Sequence, residues 1–287
     1  MGAWRWVFII EGSFTAFLAI FFWFLIPDFP EDAKWLSDEE RAFLKAKLAE
    51  DQGKSGIEQR FSPGSVGRVF KDWKIFLITL MYFGGIVPAY GYAYFSPTII
   101  KGYGYSPVKT QLMSVPPWAA SWAFSNFIAF MSDKTRHRTF FTLFPLVVGI
   151  IGFAMSLSIH SHRNIQYGSL FLITSGTYTA LAQIVCWGQM NTSGHIRRAV
   201  ASAFQIGVGN LGGIVAVYVF PSADAPDYYL GYGVCLAFLA VSLIASFVYF
   251  FALWTQNRNR SKSPEVNLTE YEKIQLGDMA STFRYMI

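Results

Sequence analysis

Val7–Ile26 reads VFIIEGSFTAFLAIFFWFLI, twenty residues with a single charged side chain, Glu11. A helix rises about 1.5 Å per residue, so a run of this length covers the roughly 30 Å hydrocarbon core of a bilayer. Six more apolar runs follow, at Ile75–Pro97, Val108–Met131, Phe140–Ile159, Tyr167–Met190, Ala199–Phe220 and Leu230–Trp254. Lipid offers backbone amides no water to bond, so each run is predicted to be a helix. The fold class that follows is all-α and integral to the membrane, with seven transmembrane helices.

Composition agrees. The 287 residues are 53% hydrophobic and 14% charged, where a soluble domain carries about 25% charged residues. A net charge of +5 would suit nucleic acid, but the basic residues lie at the ends of apolar runs and not on one polar face. That excludes a nucleic-acid partner and leaves the lipid bilayer as the surroundings. Lys and Arg also alternate. Eighteen fall in the first, third and fifth connections and the tail, and two in the other three connections. The positive-inside rule then predicts that the chain starts outside and ends in the cytoplasm. Trp4, Trp6, Trp73 and Trp254 mark run ends, as interfacial aromatics do.

The first connection is long. Ser37 and Glu40 have capping-box spacing, and Leu36, Phe43, Leu44 and Leu48 share one face, which predicts a short amphipathic helix. Gln52–Val66 reads as a linker, and the tail from Gln256 as polar and mobile with at most a brief helix over Tyr271–Gly277. Met1 has no basic segment behind it and no small-residue cleavage site follows the first run, so that run is expected to be a span and not a signal peptide. Cys186 and Cys235 lie in apolar runs and read as small buried hydrophobes. His137, His160, His162 and His195 have no carboxylate or cysteine to complete a metal site. No motif implies a cofactor, a metal or catalysis.

Polar residues inside the runs are the candidate functional groups, because burying them in lipid is costly. Glu11 reads either as a proton-coupling or solute-contacting carboxylate, or as an interfacial group bonded to a neighbour; Arg5 is within reach of it. Tyr90 and Tyr94 share a face at i, i+4 spacing in a run containing Gly84, Gly85, Pro88 and Gly91. Those residues are expected to weaken the helix and free carbonyls at mid-bilayer, where irregular backbone lines cavities. The two tyrosines read as solute contacts or as bonds to neighbouring helices. The fifth run carries Thr174, Ser175, Thr177, Tyr178, Thr179 and Gln183, so one face meets a cavity or another helix. Gln183 is the candidate contact there. Gly209 and Gly213 form a GxxxG that suits close helix packing, with Asn210 between them able to pack or to bind. Asp133, Arg136 and Arg138 lie in a short basic connection that reads either as a charge relay gripping helix ends or as a solvated turn.

Four segments, in order, carry a resemblance. They are Trp4–Gly12 ending in Pro27-Asp28-Phe29-Pro30; Tyr94–Ile100 with Gly104-Tyr105-Ser106 and Ser114–Pro117; Asp133–Arg138; and Asn191–Ala199 leading to Gly209–Gly213. Together they resemble the major facilitator superfamily, and within it the fungal allantoate permease group of anion:cation symporters, over about residues 3–255. The resemblance implies twelve helices in two halves and alternating access around a central cavity. It implies a small organic anion or vitamin as solute, such as allantoate, nicotinate or pantothenate, and a proton as coupling ion. On that plan the seven runs are helices six to twelve. Residues 1–26 are then the last helix of the first half, 27–72 an interdomain loop, 73–255 a six-helix bundle and 256–287 a cytoplasmic tail. Tyr90, Tyr94, Gln183 and Asn210 would line the solute site, Glu11 would couple protons, and Asp133, Arg136 and Arg138 would gate the cytoplasmic side. Gln189-Met190 departs from the group's more Asn-like pair.

The expected protein is thus a plasma-membrane transporter fragment. Met1 falls inside a family motif, so a truncated gene model is expected, and the absent helices or another chain would complete the site. The alternative is a non-transporting seven-helix protein, either a receptor or an inactive, regulatory half-transporter.

Overall fold

The computed structural model describes residues 3–26, 33, 35–52, 66–67, 69–159, 162–221, 224, 227–262, 280–281 and 283–287. Regular structure among them is helical. Residues 53–65 of the linker expected over 52–66, His160, and the brief helix expected over 271–277 lie outside the described residues. The chain divides into two compact units, Met1–Lys54 and Ser55–Ile287.

In the first unit, α1 spans Ala3–Leu25. It is apolar on every side, and Phe8, Phe17, Trp23 and Phe24 are all more than 60% exposed; only lipid or protein can cover such a helix. Arg5 lies over the Trp4 ring at 5.3 Å, and among the described residues no ion pair joins it to Glu11. The second helix, α2, spans Asp38–Gln52. The capping box forms as expected: Ser37 N donates to Glu40 Oε2 at 3.0 Å, and Glu40 N donates to Ser37 Oγ at 3.3 Å. Arg41 folds back to Asp38 at 2.8 Å and to the Ala33 carbonyl at 3.1 Å. The apolar face is only partly covered, since Leu36 is buried while Phe43 is 66% exposed.

The second unit contains α3 (Trp73–Gly102), α4 (Pro107–Thr135), α5 (Arg138–Ser158), α6 (Arg163–Met190), α7 (His195–Asn210), α8 (Gly212–Tyr218) and α9 (Tyr229–Lys262). The helix α3 is central and packs against α4, α6, α7, α8 and α9. It runs unbroken for 30 residues, which corrects the expected mid-span irregularity. The small residues serve close packing. A Cβ on Gly84 would lie 2.7 Å from the Phe238 carbonyl of α9, so only glycine lets those backbones approach. Ser242 Oγ donates to the Met81 carbonyl at 2.8 Å beside this contact. The helices α5 and α6 approach as closely, where a Cβ on Gly176 would lie 2.7 Å from the Pro145 carbonyl.

The polar face of α6 is largely a seam to α4. Thr174 Oγ1 donates to the Pro117 carbonyl at 3.2 Å, Ser121 Oγ to the Thr174 carbonyl at 3.1 Å, and Ser125 and Thr179 share a bond of 2.6 Å. In lipid, where burial of apolar surface does little to join helices, such bonds and tight packing hold a bundle together.

Among the described residues, six helices are long and apolar enough to cross a membrane: Trp4–Leu25, Trp73–Gly102, Arg138–Ser158, Arg163–Met190, Ile196–Tyr218 and Tyr229–Lys262. The expected third span is present as α4, with 29 residues and so the length to cross. Its Gln111, Ser121, Ser125 and Asn126 set it apart from the six in composition. The sixth expected run is present as α7 and α8, which continue one another through Leu211, whose backbone stays helical at φ −60° and ψ −22°. The last helix, α9, continues past the expected end at Trp254 to Lys262. Cys235 is fully buried in the main apolar cluster and Cys186 is half-buried.

Candidate functional site

Tyr90 and Tyr94 sit one turn apart on α3 with rings stacked at 5.7 Å and 9°. Tyr90 Oη donates to Asn210 Oδ1, at the end of α7, at 3.4 Å. The GxxxG makes this approach possible: the Tyr82 ring fills the space over Gly209, and a Cβ on Gly213 would lie 3.0 Å from the Tyr90 ring. Three of the four expected solute contacts therefore share one patch. Tyr94 and Asn210 are exposed and Tyr90 is half-buried.

Two further aromatics extend the patch. Tyr178 of α6 donates its hydroxyl to the Ala89 carbonyl at 2.9 Å, in the turn that also holds Tyr90. Trp118 of α4 lies edge-on to Tyr178 at 4.7 Å and to Tyr92 at 5.9 Å. No spacing within α4 relates Trp118 to α3, so only the tertiary packing reveals it. Tyr178 stood in the polar run of α6, but nothing local set it apart from its threonine neighbours.

Gln183 does not join the patch. It is 5% exposed, and no hydrogen bond or ring contact links it to Tyr90, Tyr94 or Asn210. Its Oε1 is buried with no hydrogen-bond partner. Unpaired buried amide oxygens are costly, so Gln183 is a position where a bridging water or solute group would be stabilising. Glu11 is exposed on α1, in the other compact unit, and Thr15 Oγ1 donates to its backbone carbonyl at 2.8 Å.

The short connection between α4 and α5 is a grip and not an open turn. Arg138, 5% exposed, donates to Asp133 Oδ1 at 2.5 Å and to Ser132 Oγ at 2.8 Å. The end of α4 is thereby tied to the start of α5. Arg136 is separate: its backbone at φ 58° closes α4, and its exposed side chain has no ion pair among the described residues.

A second charged tie escaped the sequence reading. Asp72 caps α3 by accepting from Lys74 N at 3.1 Å and holds Arg197 of α7 at 2.6 Å. Both side chains are nearly buried. Asp72 was recognisable as a cap, whereas its pairing across 125 residues was not. Gly194, just before α7, has φ 91°, a left-handed value open to glycine without strain.

Chemically, the patch offers phenol hydroxyls, an amide and flat aromatic faces. These can bond and stack on a small polar solute, and they include no nucleophile paired with a base.

Residues 1–217 match the Major Facilitator Superfamily. The chain is 30% identical over 284 residues to the uncharacterised transporter C11D3.18C of Schizosaccharomyces pombe, covering 99% of this chain and 56% of that protein. It is 31% identical over 251 residues to the MFS transporter prlL of a fungal species, covering 85% and 50%. To the MFS-type transporter cnsO of Penicillium expansum it is 29% identical over 302 residues, covering 99% and 58%. The chain spans about half the length of the curated relatives it matches. Its apolar helices and this match make it a multi-pass membrane protein that belongs to the Major Facilitator Superfamily.

Proposed function

We propose that the chain forms the second half, plus one helix, of a secondary active transporter for a small organic anion, working by alternating access with proton symport. The reading places it in the allantoate permease-like group, with α1 as helix six and the remaining spans as helices seven to twelve. The observation that carries it is the joining of Tyr90, Tyr94 and Asn210 from two helices into one accessible hydrogen-bonding patch. Such patches at the interface of repeats are where transporters of this type bind solute. The transporters among the relatives support the reading at the level of transport.

In this account Tyr90, Tyr94 and Asn210 hold the solute from one side, with Tyr178 and Trp118 fixing the tyrosine stripe. Gln183 contributes from α6 once a water or solute group reaches its free oxygen. Glu11 carries the coupled proton. The Asp133–Arg138 tie, with Arg136 beside it, belongs to the cytoplasmic gate, and the 256–287 tail lies in the cytoplasm at the plasma membrane. In a transporter of this plan the facing side of the cavity belongs to the first half.

The test is uptake of radiolabelled allantoate, nicotinate and pantothenate into proteoliposomes that carry this chain within the complete two-half transporter, with and without an inward proton gradient. Saturable, gradient-stimulated uptake of one of them is expected. Uptake that ignores the gradient would remove proton coupling, and no uptake of any organic anion would overturn the reading.

A further inference from the structure

Residues 283–287 lie against the end of the second unit where α3 begins and α6 and α9 finish. Two asparagines read their backbone. Asn257 Nδ2 donates to the Tyr285 carbonyl at 2.9 Å while its Oδ1 accepts from Tyr285 N at 2.9 Å. Asn191 does the same for Met286, donating to its carbonyl at 3.0 Å and accepting from its N–H at 2.7 Å. Each amide thus satisfies both polar groups of one residue, as a neighbouring strand would for an extended peptide. Trp187 Nε1 adds a bond to the Met286 carbonyl at 2.9 Å.

Side chains supply the specificity. Tyr285 is 4% exposed. Its ring is faced by Lys74 Nζ at 4.2 Å and Arg260 Cζ at 4.6 Å. Its hydroxyl accepts from Lys74 Nζ at 2.5 Å and from Arg260 at 3.2 Å. Cation–π contact and hydrogen bonding thus act on one side chain. Phe283 and Ile287 pack on the apolar cluster that contains Ile78, Ile184 and Trp187.

We infer that residues 283–287 are a latch: docked, they pin the end of α6 to the start of α3 and the end of α9, and their release frees the end of α6 to move. Every bond in the arrangement is non-covalent, and the groups that hold the segment come from three different helices. Asn191 caps α6, directly before the Gly194 turn into α7, so the latch acts at the junction between the two helices. The last carbonyls of a helix have no partner within it, so groups that bond its final turn and cap help to fix its end. The latch is a property of this unit alone and stands whatever solute the protein carries.

The test is hydrogen exchange of the full chain in lipid nanodiscs, comparing the unaltered protein with Met286→Pro and Tyr285→Ala. Met286→Pro deletes the N–H that Asn191 accepts, and Tyr285→Ala deletes the group between Lys74 and Arg260. Exchange over 186–192 should speed at least tenfold in both variants, while 146–153 and 170–176, in the α5–α6 contact, stay unchanged. Added peptide copying residues 280–287 should restore protection in either variant. Unchanged exchange over 186–192 would overturn the latch. So would equal acceleration in both regions, which would make the segment an ordinary part of the core.

Discussion

Arg138 shows how much one buried charge organises. Its guanidinium is almost wholly covered; Ser132 and Asp133 of the preceding helix accept from its two terminal nitrogens, while its buried Nε has no hydrogen-bond partner. Removing one partner of a buried pair costs about 3–5 kcal/mol, because the other charge is left without compensation. Asp133 is itself 67% exposed, so water can partly replace it and the expected loss for Asp133→Ala is smaller, about 1–3 kcal/mol. A lowered unfolding midpoint in detergent would show this. In proteoliposomes the same variant should also lose uptake, and unchanged uptake would remove the connection from the gate. The sequence exposed Asp133, Arg136 and Arg138 as a basic connection, but it could not divide the labour. Arg136 works through its left-handed backbone and Arg138 through its side chain. That division depends on where α4 ends, which composition does not state.

Among the elements, spans were readable because lipid imposes a length and an apolar content on each. Their interruptions were not. Glycine and proline in α3 looked like breaks, yet Gly84 is small because Phe238 presses against it, and the helix continues. Local capping was fully readable, since the Ser37–Glu40 box depends on four adjacent residues. It also carries a pH dependence. The Ser37 backbone N–H, and then its hydroxyl, hold the Glu40 carboxyl below its ordinary value of 4.5. A depressed folded pKa gives stability that is present above the unfolded value and lost as pH falls through the folded one. The first turn of α2 should therefore keep its amide protection from neutral pH down to the ordinary carboxylate range and lose part of it below. Glu40→Gln should flatten that response. Hydrogen exchange over 38–42 between pH 3 and 7, corrected for intrinsic rates, would read it. An identical profile in the variant would remove Glu40 from the cap.

For the whole molecule, the charge asymmetry of the connections and the apolar runs make a multi-pass membrane fold evident in the sequence. The six-against-seven difference has a physical cause: α4 carries Ser121 and Ser125, which bond α6, and a helix that joins its neighbour through polar groups need not be strongly apolar. The patch was partly readable, because Tyr90 and Tyr94 repeat at helical spacing within α3. Its partner Asn210 lies 120 residues away, and Trp118 and Tyr178 arrive from two further helices. Docking of 283–287 was invisible, since asparagine side chains pairing with backbone leave no periodic trace and the tail reads as polar.

The central claim is that the Tyr90–Tyr94–Asn210 patch holds the solute. Its most direct measurement is the affinity for the transported anion, in proteoliposomes, of Tyr90→Phe and Tyr94→Ala against the unaltered chain. Tyr90→Phe deletes one hydroxyl, and a hydrogen bond of about 1 kcal/mol predicts roughly fivefold weaker binding. Tyr94→Ala removes the more exposed ring and should weaken it further. Unchanged affinity in both variants, at normal protein levels, would contradict the account.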